Sequence, residues 1–108
     1  MKDLSLTEEM VLWAVWKLDD QAYGVTIRRK VSRTTERVFP YGTLYSILAK
    51  LTRMGYVVKV VSDPNPVRGG RSRNYYRMTT KGRQALRAAL LLRKVLWDEE
   101  SELALGKG

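Results

Sequence analysis

Thr43, Ser46, Lys50 and Arg53 recur at the i, i+3, i+7, i+10 spacing of one helical face, and that face carries hydroxyls and cations with no acid. Such a set suits hydrogen bonds to base edges together with attraction to phosphate. Tyr41 stands at the start of the same segment, where backbone N–H groups at a helix beginning also attract phosphate. A second basic set follows in RGGRSR. There Arg68, Arg71 and Arg73 flank two glycines that would let a loop approach a groove closely, entering a minor groove or holding phosphates. Taken singly, a solvated polar helix face and a basic loop tip without a partner explain the two sets equally well.

The chemistry open to this chain is narrow. Its 108 residues contain no cysteine and no histidine, so thiol chemistry is excluded and the commonest general base and metal ligand is missing. No nucleophile–base pair, phosphate-cradling glycine loop or metal-ligand spacing is found, so an enzyme and a bound cofactor are not expected. The net charge of +9 is regional. Between Lys50 and Lys94 there are twelve Lys or Arg and one acid, Asp63, whereas residues 1–24 and 95–108 are acidic on balance. An anionic polymer is the natural partner of such a middle segment. No apolar run approaches the roughly 18 residues of a membrane span, and the first residues show no export signal, so the expected location is the cytoplasm.

These residues need a scaffold, and the apolar pattern predicts it. Ser5 with Glu8 three residues on forms a capping box that opens a helix running to about Leu18. Within it MVLWAVW, residues 10–16, is apolar at seven consecutive positions, more than one core-facing stripe requires, so it is expected to be covered on two sides. A second helix begins near Gly24, with Tyr23, Ile27 and Val31 inward and Arg28, Arg29 and Lys30 outward; Thr34 to Arg37 reads as a turn. Pro40 starts a third helix, whose Leu44, Ile47, Leu48, Leu51 and Met54 form its buried face and whose C-cap is Gly55. Tyr56–Val61 and Arg73–Met78 read as two strands of a hairpin around the loop SDPNPVRGGRS. Thr79 or Thr80 caps a last helix from about Lys81 to Leu103, with Ala85, Leu86, Ala89, Leu92, Leu96 and Leu103 in one stripe. At about 1.5 Å per residue it would span roughly 35 Å, longer than so small a domain needs, and its outer half is expected to meet another subunit.

The fold class predicted is mainly α with a small β-hairpin: a winged helix-turn-helix domain over residues 1–79, then a long C-terminal dimerisation helix and tail over residues 80–108. In that arrangement the third helix enters the major groove of double-stranded DNA while the second lies against the backbone. A winged-helix module gripping an acidic protein partner is the alternative. RNA binding is the weaker third, because the compact recognition helix lacks the surface aromatic strand pattern used to stack exposed bases.

Leu6-Thr7, Tyr23-Gly24, Gly42-Thr43-Leu44-Tyr45, Gly55-Tyr56, and Tyr75-Tyr76 with Thr79 and Gly82 together resemble the PadR family of bacterial transcriptional regulators. The resemblance runs from Leu6 to about Leu90. It departs from the family's pattern at Ser46, where proline is frequent, at Thr52, where an acid is common, and at Met78, where leucine is usual. It implies a homodimeric repressor whose last helix packs on the first helix of its mate. It also implies that a flat aromatic effector could lie between subunits, where Trp13, Trp16 and Trp97 are the indoles placed to line a shared pocket; ordinary interface packing is their plainer role.

Overall fold

The computed structural model describes residues 4–61, 73–100 and 103. Its order is helix α1 (Leu6–Leu18), a short 3-10 turn (Asp19–Gln21), helices α2 (Gly24–Thr35) and α3 (Tyr41–Arg53), strands β1 (Val57–Val61) and β2 (Asn74–Met78), and helix α4 (Thr80–Glu99). The strands pair antiparallel with Val57 opposite Met78 and Val61 opposite Asn74. A single bridge from Tyr23 to Tyr75 and a bond from Tyr76 N–H to the Ala22 carbonyl dock β2 against the residues entering α2. This is the winged helix-turn-helix arrangement.

Local chemistry sets the boundaries. At the start of α1 the Ser5 hydroxyl accepts from Glu8 N–H and Glu8 accepts from Ser5 N–H, the reciprocal capping box. Helix α2 runs through Thr34 and Thr35, further than the polar run suggested, and both hydroxyls bond back to the Lys30 and Val31 carbonyls one turn earlier. It stops at Glu36, which takes the left-handed conformation. Helix α3 ends in a Schellman motif: Gly55, at φ +77°, donates to the Thr52 carbonyl and Tyr56 to that of Leu51. The C-cap is therefore Met54, with Gly55 the left-handed residue just after it.

The core lies where α1, α2, α3 and the hairpin converge, on Leu12, Val15, Ile27, Leu44, Leu48 and Val57. Leu44, Leu48 and Leu51 of the expected α3 stripe are fully buried, and Ile47 and Met54 pack at its margin. The chain itself covers most of the apolar run in α1, burying Val11, Leu12, Ala14 and Val15; Trp16 alone stays exposed. The cover expected for this run is thus supplied largely by the chain itself.

Helix α4 has two halves. Thr79 caps it by accepting from Gly82 N–H, and Gly82 and Leu86 are buried. From Leu90 onward every described residue is exposed, including Leu92, Leu96 and Leu103 of the expected stripe and also Leu90, Leu91, Val95 and Trp97. Helix α4 ends at Glu99 with Glu100 as its C-cap, and the Leu103 N–H donates to the Glu100 carbonyl.

Candidate nucleic-acid interface

Helix α3 is fixed from behind and free in front. Its N-terminus is tied to α2 by Arg28, whose Nε donates to the Phe39 carbonyl at 2.7 Å and whose guanidinium lies 4.4 Å from the centre of the Tyr41 ring. Phe39 N–H in turn donates to Ser32 Oγ. Tyr41 stacks on Tyr45 with ring centres 6.1 Å apart, and the Tyr45 hydroxyl rests on Gly24, where an added Cβ would overlap it. Two aromatic rings and one guanidinium thus lock the start of α3 to the start of α2.

In front, Tyr41, Thr43, Ser46 and Arg53 are all exposed. The hydroxyls differ from the other helical ones. Thr34, Thr35 and Thr52 return theirs to a carbonyl one turn back, whereas Thr43 and Ser46 have no partner among the described residues.

Lys50 departs from the expected arrangement. Its Nζ is 2.6 Å from Glu8 Oε2, so it faces α1 and is already neutralised. Glu8 is almost fully buried, and the Lys50 hydrogen bond holds its carboxyl below the usual carboxylate range, opposed by burial and aided by Ser5 N–H. The adjacent Glu9 is buried too and takes a two-bond clasp from Arg93 of α4, Nε to Oε1 at 2.7 Å and Nη2 to Oε2; this bond raises the Arg93 pKa. Sequence reasoning missed both pairs. The one signal available was two neighbouring acids on the apolar side of α1 in a chain with surplus cations.

Arg73 stands just before β2, exposed, with its guanidinium 4.6 Å from the centre of the Tyr23 ring, which meets Tyr75 edge-on at 5.4 Å. Arg68 and Arg71 lie outside the described residues. The three indoles are not brought together within one chain. Trp13 is half-buried with Lys30 Nζ 5.4 Å from its ring centre. Trp16 walls an apolar groove of about 560 Å³ with Met78, Leu86, Leu90 and Leu91, and Trp97 lies in a separate recess beside Leu96 and Leu103. Among the described residues no group of His, Cys, Asp or Glu is placed to hold a metal ion, and no helix is long and apolar enough to cross a membrane.

Comparison with known proteins agrees with this geometry. The model of the transcriptional regulator PadR-like family matches residues 14–88. None of the curated proteins matches the chain. Among solved structures, a PadR-like transcriptional regulator of Bacillus cereus superposes with a TM-score of 0.76 at 18% identity, covering 94% of this chain and 93% of that one. A PadR family regulator of Eggerthella lenta gives 0.70 at 23% identity over 91% and 83% of the two chains. One from Clostridium difficile gives 0.68 at 21% over 92% and 94%. The likeness to these three is one of fold. With the family model spanning more than half its length, and with Tyr23-Gly24, Gly42–Tyr45, Gly55-Tyr56 and Gly82 each at a helix junction, this chain belongs to the PadR-like family of transcriptional regulators.

Proposed function

We propose that the protein is a homodimeric transcriptional repressor that reads a pseudo-palindromic operator. Helix α3 enters the major groove and the hairpin, with Arg73 at its base, lies along the adjacent backbone or minor groove, and Arg68 and Arg71, from the sequence between the two strands, are proposed to join Arg73 in that contact. The observation that carries this reading is the pair of unpartnered hydroxyls of Thr43 and Ser46, with Arg53 beyond them, on a helix whose opposite face is locked into the core. Residues 1–79 form the DNA-reading unit and residues 80–108 the dimerisation helix with its tail, on the strength of the apolar exposure that begins at Leu90.

Lys50 has a lesser part here than its place in the sequence suggests, since Glu8 already holds it. Base discrimination is assigned to Thr43 and Ser46, and phosphate contact to Tyr41, Arg53 and the hairpin arginines. Trp16 and Trp97, exposed beside the apolar residues of α4, are assigned to subunit packing, whereas Trp13 lies half-buried beneath Lys30 of its own chain. Titration of selected and random duplexes at several salt concentrations tests the proposal. A preferred sequence with half-sites about 34 to 36 Å apart is expected. Equal affinity for all duplexes at every salt concentration overturns it.

A further inference from the structure

Helix α4 is tied to the winged unit at two places. The first is its beginning, where Gly82 lies against the Tyr56 carbonyl, Lys81 Nζ sits 5.7 Å from the centre of the Tyr56 ring and the Thr79 hydroxyl donates to the Gly55 carbonyl. The second is the clasp of Arg93 on Glu9 of α1. Of the ion pairs and side-chain hydrogen bonds among the described residues, this clasp is the one by which α4 reaches another helix. Leu86 is buried between the two ties, whereas Leu90, Leu91 and Leu92 are each about half exposed. A helix held at one end can swing, and a helix held at two points has one direction. Gly82 and Arg93 are eleven residues apart, roughly 16 Å at about 1.5 Å per residue.

The chemistry of the second tie suits it to orientation. Glu9 is 4% exposed, and a carboxylate so buried is costly to leave without a cation. The guanidinium meets it with two N–H groups, Nε on one oxygen and Nη2 on the other, which fixes the plane of the pair as well as its separation. Its position matters equally. The neighbouring Glu8 holds Lys50 of α3 at 2.6 Å, so two adjacent residues of α1 are the common reference for the recognition helix and for α4. The exposed apolar ridge surrounds the clasp, with Leu90, Leu92, Val95 and Leu96 within a turn of Arg93.

We infer that the Glu9–Arg93 clasp sets the angle between the recognition helix and the dimerisation helix, and through it the spacing of half-sites that the protein accepts. This rests on the two-fold DNA reading above. A shift of about 2 Å at Arg93 turns α4 by about 7° about Gly82, which moves a recognition helix lying half of about 34 to 36 Å from the axis by roughly 2 Å. Two protomers together then change the separation by about 4 Å, close to the roughly 3.4 Å between successive phosphates of one strand. Glu9 and Arg93 act here as positioning residues, through α1 and α4, without touching DNA.

The test uses Glu9→Leu/Arg93→Gln, which removes both charges and so leaves no buried carboxylate unpaired; thermal melting checks that it folds. Wild type and variant are titrated with duplexes whose half-sites are moved one or two base pairs closer together or further apart, and with a duplex holding a single half-site. Wild type is expected to lose about 100-fold in affinity when the spacing changes by two base pairs, because the second recognition helix no longer engages. The variant is expected to lose about 10-fold or less over the same series, with unchanged affinity for the single half-site. A variant whose spacing profile matches that of wild type overturns the inference. So does one weakened equally on the single half-site and on every two-site duplex, since the clasp would then support only the folding of the winged unit.

A second measurement is independent of DNA. Because the chain has no cysteine, spin labels at Asp20→Cys and Glu99→Cys give the distance from the turn after α1 to the end of α4. Labelled chains are diluted into excess unlabelled protein, so that only distances within one chain are read. The distribution is expected to broaden in the clasp variant, and an unchanged distribution overturns the inference. If wild type shows no spacing preference, or binds no duplex, the two-fold reading fails, and this distance alone decides whether the clasp sets the angle of α4.

Discussion

Gly82 and Gly42 carry opposite consequences at the residue scale. A Cβ on Gly82 would overlap the carbonyl group of Tyr56, the same carbonyl that accepts from Thr79 N–H, while the Thr79 hydroxyl donates to Gly55 at 2.6 Å. The end of α3 and the start of α4 therefore touch through backbone, and glycine is the residue that permits it. Gly82→Ala is expected to cost about 2–3 kcal/mol by urea unfolding, the range for overpacking a site that cannot yield. An added Cβ at Gly42 meets nothing, so Gly42→Ala is expected to stabilise α3 by about 0.5–1 kcal/mol. Equal costs at the two positions would contradict the packing described. Ser46→Ala leaves stability within about 0.5 kcal/mol, as an exposed substitution should. It is expected instead to alter which duplex is selected, since the hydroxyl it removes has no partner among the described residues.

Among the elements, α1 is the strut on which the others are set. Its consecutive acids reach in two directions, Glu8 to Lys50 of α3 and Glu9 to Arg93 of α4. Lys50→Ala leaves Glu8 buried without its cation, so the expected effect is a lower unfolding midpoint, with the preferred duplex unchanged. The added Glu8→Gln substitution should restore part of the loss in a double-mutant cycle. The pH dependence has a definite sign. Because the folded carboxyl of Glu8 is held below its ordinary value of 4.5, its contribution is present above that value and is lost as pH falls through the lowered one. Thermal melts between neutral pH and about pH 3 should show a smaller acid loss in Glu8→Gln than in wild type. Much of this scale was legible in the sequence. The capping box at Ser5, the α3 stripe and the two strands are local patterns, set by spacing along one segment. The acids were legible only as helix-start residues. That Glu8 meets Lys50, 42 positions away, depends on how α1 crosses α3, and no periodicity within either helix encodes a crossing. The same reason hid the approach of Tyr45 to Gly24.

At the scale of the whole molecule the extents are 60 × 30 × 21 Å, and the 20 residues of α4 span roughly 30 Å at about 1.5 Å each. About half of that helix is held, by Gly82, Leu86 and the Glu9–Arg93 clasp; the rest presents Leu91, Leu92, Val95, Leu96 and Trp97 at more than half exposure each. A contiguous apolar ridge of this kind, continuous with the groove beside Trp16, is what a chain leaves for an interface. The sequence foresaw the ridge from helix length, and the structure shifts its start to Leu90. If a second copy covers it, Leu91→Glu together with Val95→Glu should convert the dimer to monomer in sedimentation equilibrium, since two buried carboxylates without partners would face each other across the axis. Folding of the winged unit should survive, because neither side chain touches its core. Operator affinity should fall much further than affinity for a single half-site, since what is lost is the tethering of a second recognition helix. A monomeric double variant that kept full operator affinity would separate dimerisation from DNA reading and overturn the two-fold arrangement. A double variant that remained dimeric would place the interface elsewhere than on α4.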